Sequence, residues 1–293
     1  MLVPMKRYHT TILVGLFIIT TGCTTKTDSF NLYLSKQKNI QFLVDQGLSH
    51  WEKRVNVKDA EMAKLFLSKA NVLNPDNGEV ASLYARACHF LGYYIEPNEI
   101  RSDSLFLEGM ETAWEFIIAT DAYQEGAALS DGDSTAKMIA GIENMSLEMV
   151  PLLYWWISNF SKYLITKSVM VRLQSRDVIE TSLRRILALQ PDFFYHGANR
   201  IFGGIYARLP GLDLSYSVNN FDKAILGSPN FMGTYVMRAE YLYTKSGDRE
   251  EFIKDLQMVL NANPTELPNV SPENLFEQEK AKVLLAKESS LFE

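Results

Sequence analysis

The sequence is short of cysteine and of positive charge, and each shortage excludes a class of protein. Two cysteines in 293 residues are too few for a disulfide scaffold or a thiolate zinc site. The 29 Lys+Arg against 35 Asp+Glu give a net charge of −6. That balance argues against nucleic acid as a main partner, because phosphate binding needs clustered positive charge. Ordinary glycine and proline contents exclude collagen-like and low-complexity chains.

Recognisable catalytic fingerprints are also missing. The sequence contains no P-loop, no dinucleotide-binding glycine motif and no Gly-x-Ser-x-Gly elbow. Its histidines are isolated, without the spacing of a metal-binding helix: His9, His50, His89 and His196. We therefore expect no catalytic residues, no metal and no cofactor. The 47% of hydrophobic residues provide instead for a large buried core.

Long apolar runs are scarce, and the clearest one lies near the N-terminus. A basic start precedes an apolar segment from Ile12 to Ile19, which is too short to span a bilayer and is typical of a secretory leader. The sequence then reads TTGC, which resembles the bacterial lipoprotein box, although that box usually has Leu where Thr20 stands. The resemblance implies that residues 1–22 are removed and that Cys23 is lipidated. An ordinary signal peptide is the alternative.

The rest of the chain shows helical periodicity. Ile40, Val44 and Leu48 recur at four-residue spacing, and no convincing period-two alternation is present. We predict an all-α protein, with a polar tether over residues 23–38 and a single helical domain over residues 39–293. We expect roughly a dozen helices, in view of the length of this region.

Four segments repeat one spacing of compact residues closed by a proline. They are Ala63, Leu67, Ala70 and Pro75; Ile179, Leu183, Ile186 and Pro191; Ser217, Phe221, Ala224 and Pro229; and Phe252, Leu256, Val259 and Pro264. This is the spacing of the second helix of a tetratricopeptide repeat, where proline ends the helix because it has no N–H. We predict degenerate tetratricopeptide-like helix pairs stacked in one compact array. Any antiparallel helical bundle is the alternative.

The period lapses between about residues 100 and 175. Within this irregular middle, Asp133 or Ser134 follows a turn and is a candidate helix N-cap. Pro151 precedes an aromatic-rich apolar run and is expected to start a helix.

Several stretches of the second half carry a more specific pattern. They are Val150–Trp156 (VPLLYWW), Arg184–Phe193 (RRILALQPDF), Gly197–Pro210 (GANRIFGGIYARLP), Asn220–Phe231 (NFDKAILGSPNF), Val236–Tyr241 (VMRAEY) and the run from Asp248 to the C-terminus. Together they resemble the T component associated with tripartite ATP-independent periplasmic (TRAP) transporters. Members of that family are exported lipoproteins built from degenerate tetratricopeptide-like helix pairs.

The resemblance implies solute uptake rather than chemistry. It implies a periplasmic, lipid-anchored accessory component that engages the substrate-binding (P) component and holds or passes a small, partly apolar ligand. It also implies self-association, with a homotrimer as the expected state. The alternative is a lipid-anchored tetratricopeptide-like scaffold that assembles envelope proteins without a small ligand. A continuous apolar hole near residues 150–210 would favour the ligand-holding function.

Five residues are candidates to contact such a ligand: Trp155, Trp156, Asn199, Arg200 and Tyr206. Trp155 and Trp156 are adjacent on a helix and point about 100° apart, so both cannot face one pocket equally. Arg200 would suit a ligand carboxylate, because its guanidinium binds carboxylates bidentately. Core packing for the tryptophans and an acidic neighbour for Arg200 are the alternatives. Gly203 and Gly204 would either permit close helix contact or open space for a ligand.

Overall fold

A computed structural model of the chain describes residues 26–293, so the predicted leader and Cys23 lie outside the described residues. Every regular element over residues 26–293 is helical, and this part of the chain contains no strand. The all-α prediction is therefore confirmed. Backbone contacts divide the chain at Lys38, and Asn39–Glu293 form one compact helical array. No helix in the described range is long and apolar enough to cross a membrane.

The α-helices are α1 (Lys26–Trp51), α2 (Val57–Leu73), α3 (Gly78–Phe90), α4 (Glu99–Ala119), α5 (Asp121–Ala128), α6 (Ser134–Glu143), α7 (Val150–Tyr163), α8 (Val169–Gln174), α9 (Arg176–Leu189), α10 (Phe193–Arg208), α11 (Ser215–Gly227), α12 (Met232–Arg238), α13 (Thr244–Ser246), α14 (Arg249–Asn261), α15 (Ser271–Ala286) and α16 (Glu288–Leu291). Two π-helical turns, Leu91–Ile95 and Ala239–Tyr243, extend α3 and α12 without a break. The first helix includes residues 26–38, which we had assigned to the tether.

Each proline-closed segment coincides with one helix and its end. The prolines follow α2, α9, α11 and α14 by two or three residues. All twelve compact positions ahead of them are buried, none being more than 4% exposed. The helix after each proline packs against the helix before it. The spacing thus locates four helix ends and the buried stripe of each helix.

Local capping follows the sequence as well. The carboxylate of Asp133 caps α6 by accepting a hydrogen bond from the Ala136 amide at 2.9 Å. Pro151 lies in the first turn of α7, where its missing N–H removes no helical hydrogen bond. From that turn, α7 runs through the centre of the array and contacts α3, α4, α9 and α10.

The last long helix returns to the first ones and closes the array. Arg54, in the middle of the α1–α2 connection, forms a buried ion pair with Glu273 of α15 at 2.6 Å. One turn further along α15, Glu277 accepts a hydrogen bond from the Tyr94 hydroxyl at 2.8 Å. The array is therefore closed around an internal space instead of forming an open solenoid.

Candidate functional site

The closed array encloses a cavity between α3, α7, α10, α12 and α15. The cavity has a volume of about 130 Å³, and its mouth opens to solvent. Apolar side chains make up most of its wall, among them Trp51, Phe90, Trp155, Phe194, Ile201 and Ile205. This lining is typical of a pocket for a small, largely apolar molecule.

The five helices run in the same direction along the cavity, as contacts at two levels show. At the first level, which we call the Arg86 level, Arg86 lies 3.4 Å from Glu273 and Arg200 lies 3.0 Å from the Tyr154 hydroxyl. Phe231, at the start of α12, lies under the Arg200 guanidinium.

At the second level, which we call the Lys162 level, Lys162 lies 3.3 Å from the Tyr241 hydroxyl and Lys280 lies 2.8 Å from that of Tyr93. Arg208 stacks over the Tyr241 ring. In every helix the second-level residue follows the first-level one by seven to ten positions, about 10–15 Å along a helix. The cavity is therefore an elongated space between parallel helices.

Aromatic rings surround two arginines at the Arg86 level. The guanidinium carbon of Arg86 lies 5.2 Å from the centre of the Trp155 ring and 5.1 Å from that of Phe194. That of Arg200 lies 4.2 Å from the centre of the Phe231 ring. Cation–π contacts of this kind hold the charges in place while leaving their N–H groups free for hydrogen bonds.

The backbone at the start of α10 is strained at the same level. Phe194, Tyr195 and His196 all have left-handed conformations, with φ values of 45°, 57° and 55°, which cost roughly 1–2 kcal/mol for each L-residue. Arg200 holds this turn by donating hydrogen bonds to the carbonyl oxygens of Tyr195 at 3.1 Å and Phe194 at 3.3 Å. Gly197 follows, and a side chain there would collide with Tyr154. The turn places the Phe194 ring in the cavity wall, and strain of this kind clusters at binding sites.

At the Lys162 level a buried lysine faces the cavity. Lys162 is 9% exposed, and its Nζ atom lies 3.7 Å from the centre of the Tyr93 ring. Burial, followed by the charge of Lys280, lowers the pKa of Lys162 to about 7. Lys280 is itself paired with Glu240 at 2.6 Å. Lys162 forms no ion pair with any residue that the structure describes.

The two π-helical turns build this second level. Tyr93 lies in the turn that ends α3, and Glu240 and Tyr241 lie in the turn that follows α12. A π-turn rotates the following side chains relative to an α-helix, and such turns are frequent at functional sites. Lys280 bridges the two turns through its hydrogen bonds to Tyr93 and Glu240.

The structure separates the predicted ligand residues into two groups. Trp155 and Arg200 line the cavity. Trp156 does not; its ring stacks on Trp114 at 4.8 Å and on Phe160 at 5.5 Å in the packed core.

Asn199 and Tyr206 are likewise absent from the cavity wall. The Asn199 amide donates to Asn220 of α11 at 3.3 Å. Tyr206 stacks on Phe202 with the ring centres 5.2 Å apart. Both side chains leave α10 on faces other than that of Arg200, as their positions on a helix require.

Both adjacent glycines of α10 permit close contact with neighbouring side chains, and Gly204 also lies in the cavity wall. A Cβ atom at Gly203 would lie 2.8 Å from the buried ring of Phe221, so this glycine permits close contact with α11. Gly204 lies in the cavity wall, where a Cβ atom would meet Met237 and Tyr241.

Several polar residues of the cavity were missed by the sequence reasoning. They are Arg86, His89, Ser158, Lys162 and Glu277. The sequence of α7 did contain a pattern that could have identified its cavity residues. Tyr154, Trp155, Ser158, Ser161 and Lys162 recur at the spacing of one helical face, and they place polar groups on an otherwise apolar helix.

The arrangement is suited to binding. The wall combines apolar surface with a few convergent polar groups, as in ligand pockets generally. No group of three or more His, Cys, Asp or Glu side chains that could hold a metal ion occurs in the part of the chain described.

Comparison with known proteins identifies the family. The family model of the TRAP transporter T-component matches residues 59–292, a range that includes all five helices around the cavity. No curated protein matches this chain significantly. Because the family model covers most of the sequence, the chain belongs to the TRAP transporter T-component family.

Proposed function

We propose that this protein is the periplasmic, lipid-anchored accessory component of a TRAP-type solute uptake system. In this function Cys23 carries the lipid anchor, and the helical array engages the substrate-binding component of the transporter. The internal cavity holds a small, partly apolar ligand or passes it on. The family membership supports the transport role, and the cavity supports the part played by a ligand.

The observation that carries the ligand-holding function is the closed ring of parallel helices. A scaffold that only assembles proteins needs exposed grooves and gains nothing from an internal space lined by buried side chains. Here the wall residues Tyr154, Trp155 and Arg200 are each at most 6% exposed, and yet they border an internal cavity. We interpret the proline-closed helices and their partners as degenerate tetratricopeptide-like pairs, whose outer faces remain for the transporter component.

Among the candidate residues, we propose that Trp155 and Arg200 contact the ligand. Trp155 offers a ring face bordered by Phe194 at 4.7 Å, which suits an apolar portion. The buried Arg200 offers hydrogen-bond donors beside the same apolar surface.

Native mass spectrometry of the exported chain tests this function. The chain would carry Cys23→Ser to avoid lipidation, and would be measured alone and with the substrate-binding protein encoded beside it. We expect a defined oligomer, a trimer on the family precedent, that retains a small molecule and forms a complex of fixed stoichiometry with the binding protein.

Two variants make the test specific to the cavity. Gly204→Leu fills the wall position beside Met237 and Tyr241 and is expected to abolish retention of the small molecule. Lys282→Leu, at an exposed position of α15, should retain it. A monomer with neither a retained molecule nor a complex would contradict the proposal and leave the envelope scaffold as the better account.

The lipid anchor has its own test. Fractionation of cells that produce the unaltered chain should place it in the membrane, and Cys23→Ser should release it to the soluble periplasmic fraction. Membrane association that survives Cys23→Ser would contradict anchoring through this residue.

A further inference from the structure

Buried polar atoms without a protein partner converge on the cavity. Most of the buried side-chain nitrogen and oxygen atoms that lack a hydrogen-bond partner in the described structure belong to cavity residues: Arg86 Nε, His89 Nδ1, Ser158 Oγ, Ser161 Oγ, Arg172 Nε and Glu277 Oε2. Buried polar groups nearly always find a partner. Their concentration around the cavity points to a polar group of a ligand and not to scattered packing defects.

The centre of this polar set is His89 of α3 together with Ser158 of α7. Ser158 is 4% exposed and has no partner for its hydroxyl. The neighbouring Asn159 bonds to the carbonyl oxygen of Ala85, one turn before His89. Ser158 and His89 both line the cavity, and their positions along α7 and α3 place them between the Arg86 and Lys162 levels.

Positive charge surrounds this height from three helices. Burial, and then the charges of Lys162, Arg200 and Arg86, lower the pKa of His89 to about 3. The ring is therefore neutral and lies within reach of three cations.

Two of the carboxylates near these cations, Glu273 and Glu240, form short ion pairs with Arg54 and Lys280. Glu273 lies 3.4 Å from Arg86 but forms its shorter ion pair, at 2.6 Å, with Arg54. Burial raises the pKa of the Glu277 carboxyl, which accepts a hydrogen bond from Tyr94. Arg200 and Lys162 form no ion pair with any residue that the structure describes.

We propose that the cavity binds the anionic group of its ligand, a carboxylate or a similar small oxyanion, beside His89 and Ser158 and between the charges of Arg86, Arg200 and Lys162. The inference rests on the proposed ligand-holding function and specifies the polar end of that ligand. The apolar remainder contacts apolar side chains of the wall, among them Leu164, Ile165 and Ile205. An amphipathic monoanion fits this division better than a neutral or cationic molecule.

Binding of the anion is linked to proton uptake at Lys162. The charged and titratable groups that face this amine come from every neighbouring element: His89, Tyr93, Arg208, Glu240, Tyr241, Glu277 and Lys280. Their balance, with burial, holds the pKa of Lys162 at about 7. An anion placed beside it favours the charged amine, so above neutral pH the complex takes up a proton that the free protein lacks.

Calorimetry with three ten-carbon probes tests the proposal. Decanoate, 1-decanol and decylamine would be titrated into the exported chain carrying Cys23→Ser. We expect decanoate to bind at least about tenfold more tightly than decanol, and decylamine more weakly than either. At about pH 8, buffers of different ionisation enthalpy should report uptake of up to about one proton with decanoate.

Variants distinguish the anion subsite from the apolar cavity. Lys162→Met is expected to weaken decanoate binding about tenfold and to abolish proton uptake, while decanol affinity stays unchanged. Ser158→Ala should weaken decanoate binding without altering decanol. Lys282→Met, which removes an exposed lysine of α15, should change none of these results.

The possible outcomes distinguish failure of the anion subsite from failure of the ligand-holding function. Equal binding of decanoate and decanol, unaffected by Lys162→Met, would overturn the anion subsite and leave an apolar ligand cavity. Failure of all three probes to bind would overturn both the subsite and the ligand-holding function. Loss of both ligands in Lys162→Met, with unchanged circular dichroism, would assign the lysine to the shape of the cavity and not to anion binding.

Discussion

The two faces of α7 differ in what they pack against. On one face Trp156 stacks between the rings of Trp114 and Phe160. On the other face Trp155 borders the cavity, and its neighbours along the helix are Ser158 and Lys162. Both faces are equally buried, so burial alone does not distinguish core from site. The distinction lies in what fills the space beyond the side chain: other side chains on one face, and a cavity with unpartnered polar atoms on the other.

The largest expected difference between the faces is in stability. Trp156→Ala should lower the free energy of unfolding by about 4 kcal/mol, because it leaves a void in close-packed surroundings. Trp155→Ala should cost about half as much, since one side of its ring borders the cavity, yet it should weaken decanoate binding strongly. Urea denaturation and calorimetry measure the two effects. Equal losses of stability from both substitutions would contradict the distinction between a packed face and a cavity face of α7.

The adjacent glycines of α10 give the same comparison on a second helix. Gly203→Ala places a methyl group 2.8 Å from Phe221, which is fully buried and cannot yield. We expect a net loss of about 1–2 kcal/mol. Gly204→Ala meets the flexible Met237 at 3.0 Å and the Tyr241 ring at 3.2 Å. Because the Met237 side chain can move and alanine has the higher helix propensity, stability should stay unchanged or rise by up to about 1 kcal/mol. Thermal unfolding compares the two variants. A destabilised Gly204→Ala chain would show that this wall is packed.

Because Lys162 is buried on the cavity face of α7, we expect the free energy of unfolding to depend on pH. The pKa of this lysine is about 7 in the folded chain, against 10.5 for the ordinary group. Between these values the unfolded chain binds more protons than the folded one, so stability due to this group rises with pH. The cost of burying the charge is therefore greatest below about pH 7. We expect Lys162→Met to be more stable than the parent by about 2 kcal/mol near pH 6, with the gap narrowing toward pH 9.

Urea denaturation at several pH values, at constant ionic strength, measures this gap. Lys282→Met is the matched control, because it removes an exposed lysine and should show no gap that varies with pH. A constant difference between Lys162→Met and the parent would mean that the lysine titrates normally in the folded chain.

The closely packed faces of the helices were largely predictable from the sequence, because the spacing of their buried residues repeats along the chain. The residues ahead of Pro75, Pro191, Pro229 and Pro264 recur at one spacing, and proline ends a helix for a local reason. These two facts locate helix ends and buried stripes without any knowledge of tertiary structure. The family resemblance drew on the same regions.

The cavity face was less predictable, because it depends on departures from regular helix. The left-handed residues from Phe194 to His196 and the π-turns that carry Tyr93 and Tyr241 have no sequence signal that we used. From the sequence alone, Lys162 would be taken for a solvent-exposed residue. It is buried because a ring of helices closes around it. Helical spacing from Arg200 would have favoured Gly204 and Arg208 over the predicted Tyr206.

The smallest expected effect compares two buried serines, one on each kind of surface. The Ser217 hydroxyl, in the packed contact of α11 with α10, donates to the carbonyl oxygen of Gly203 at 2.7 Å. Its loss in Ser217→Ala should cost about 1 kcal/mol. The Ser158 hydroxyl has no protein partner, so Ser158→Ala should change stability by less than about 0.5 kcal/mol. If Ser158→Ala costs as much as Ser217→Ala in urea denaturation, then the hydroxyl already has a strong partner in the free protein. A neutral Ser158→Ala that nonetheless weakens decanoate binding would show that this hydroxyl serves the ligand and not the fold.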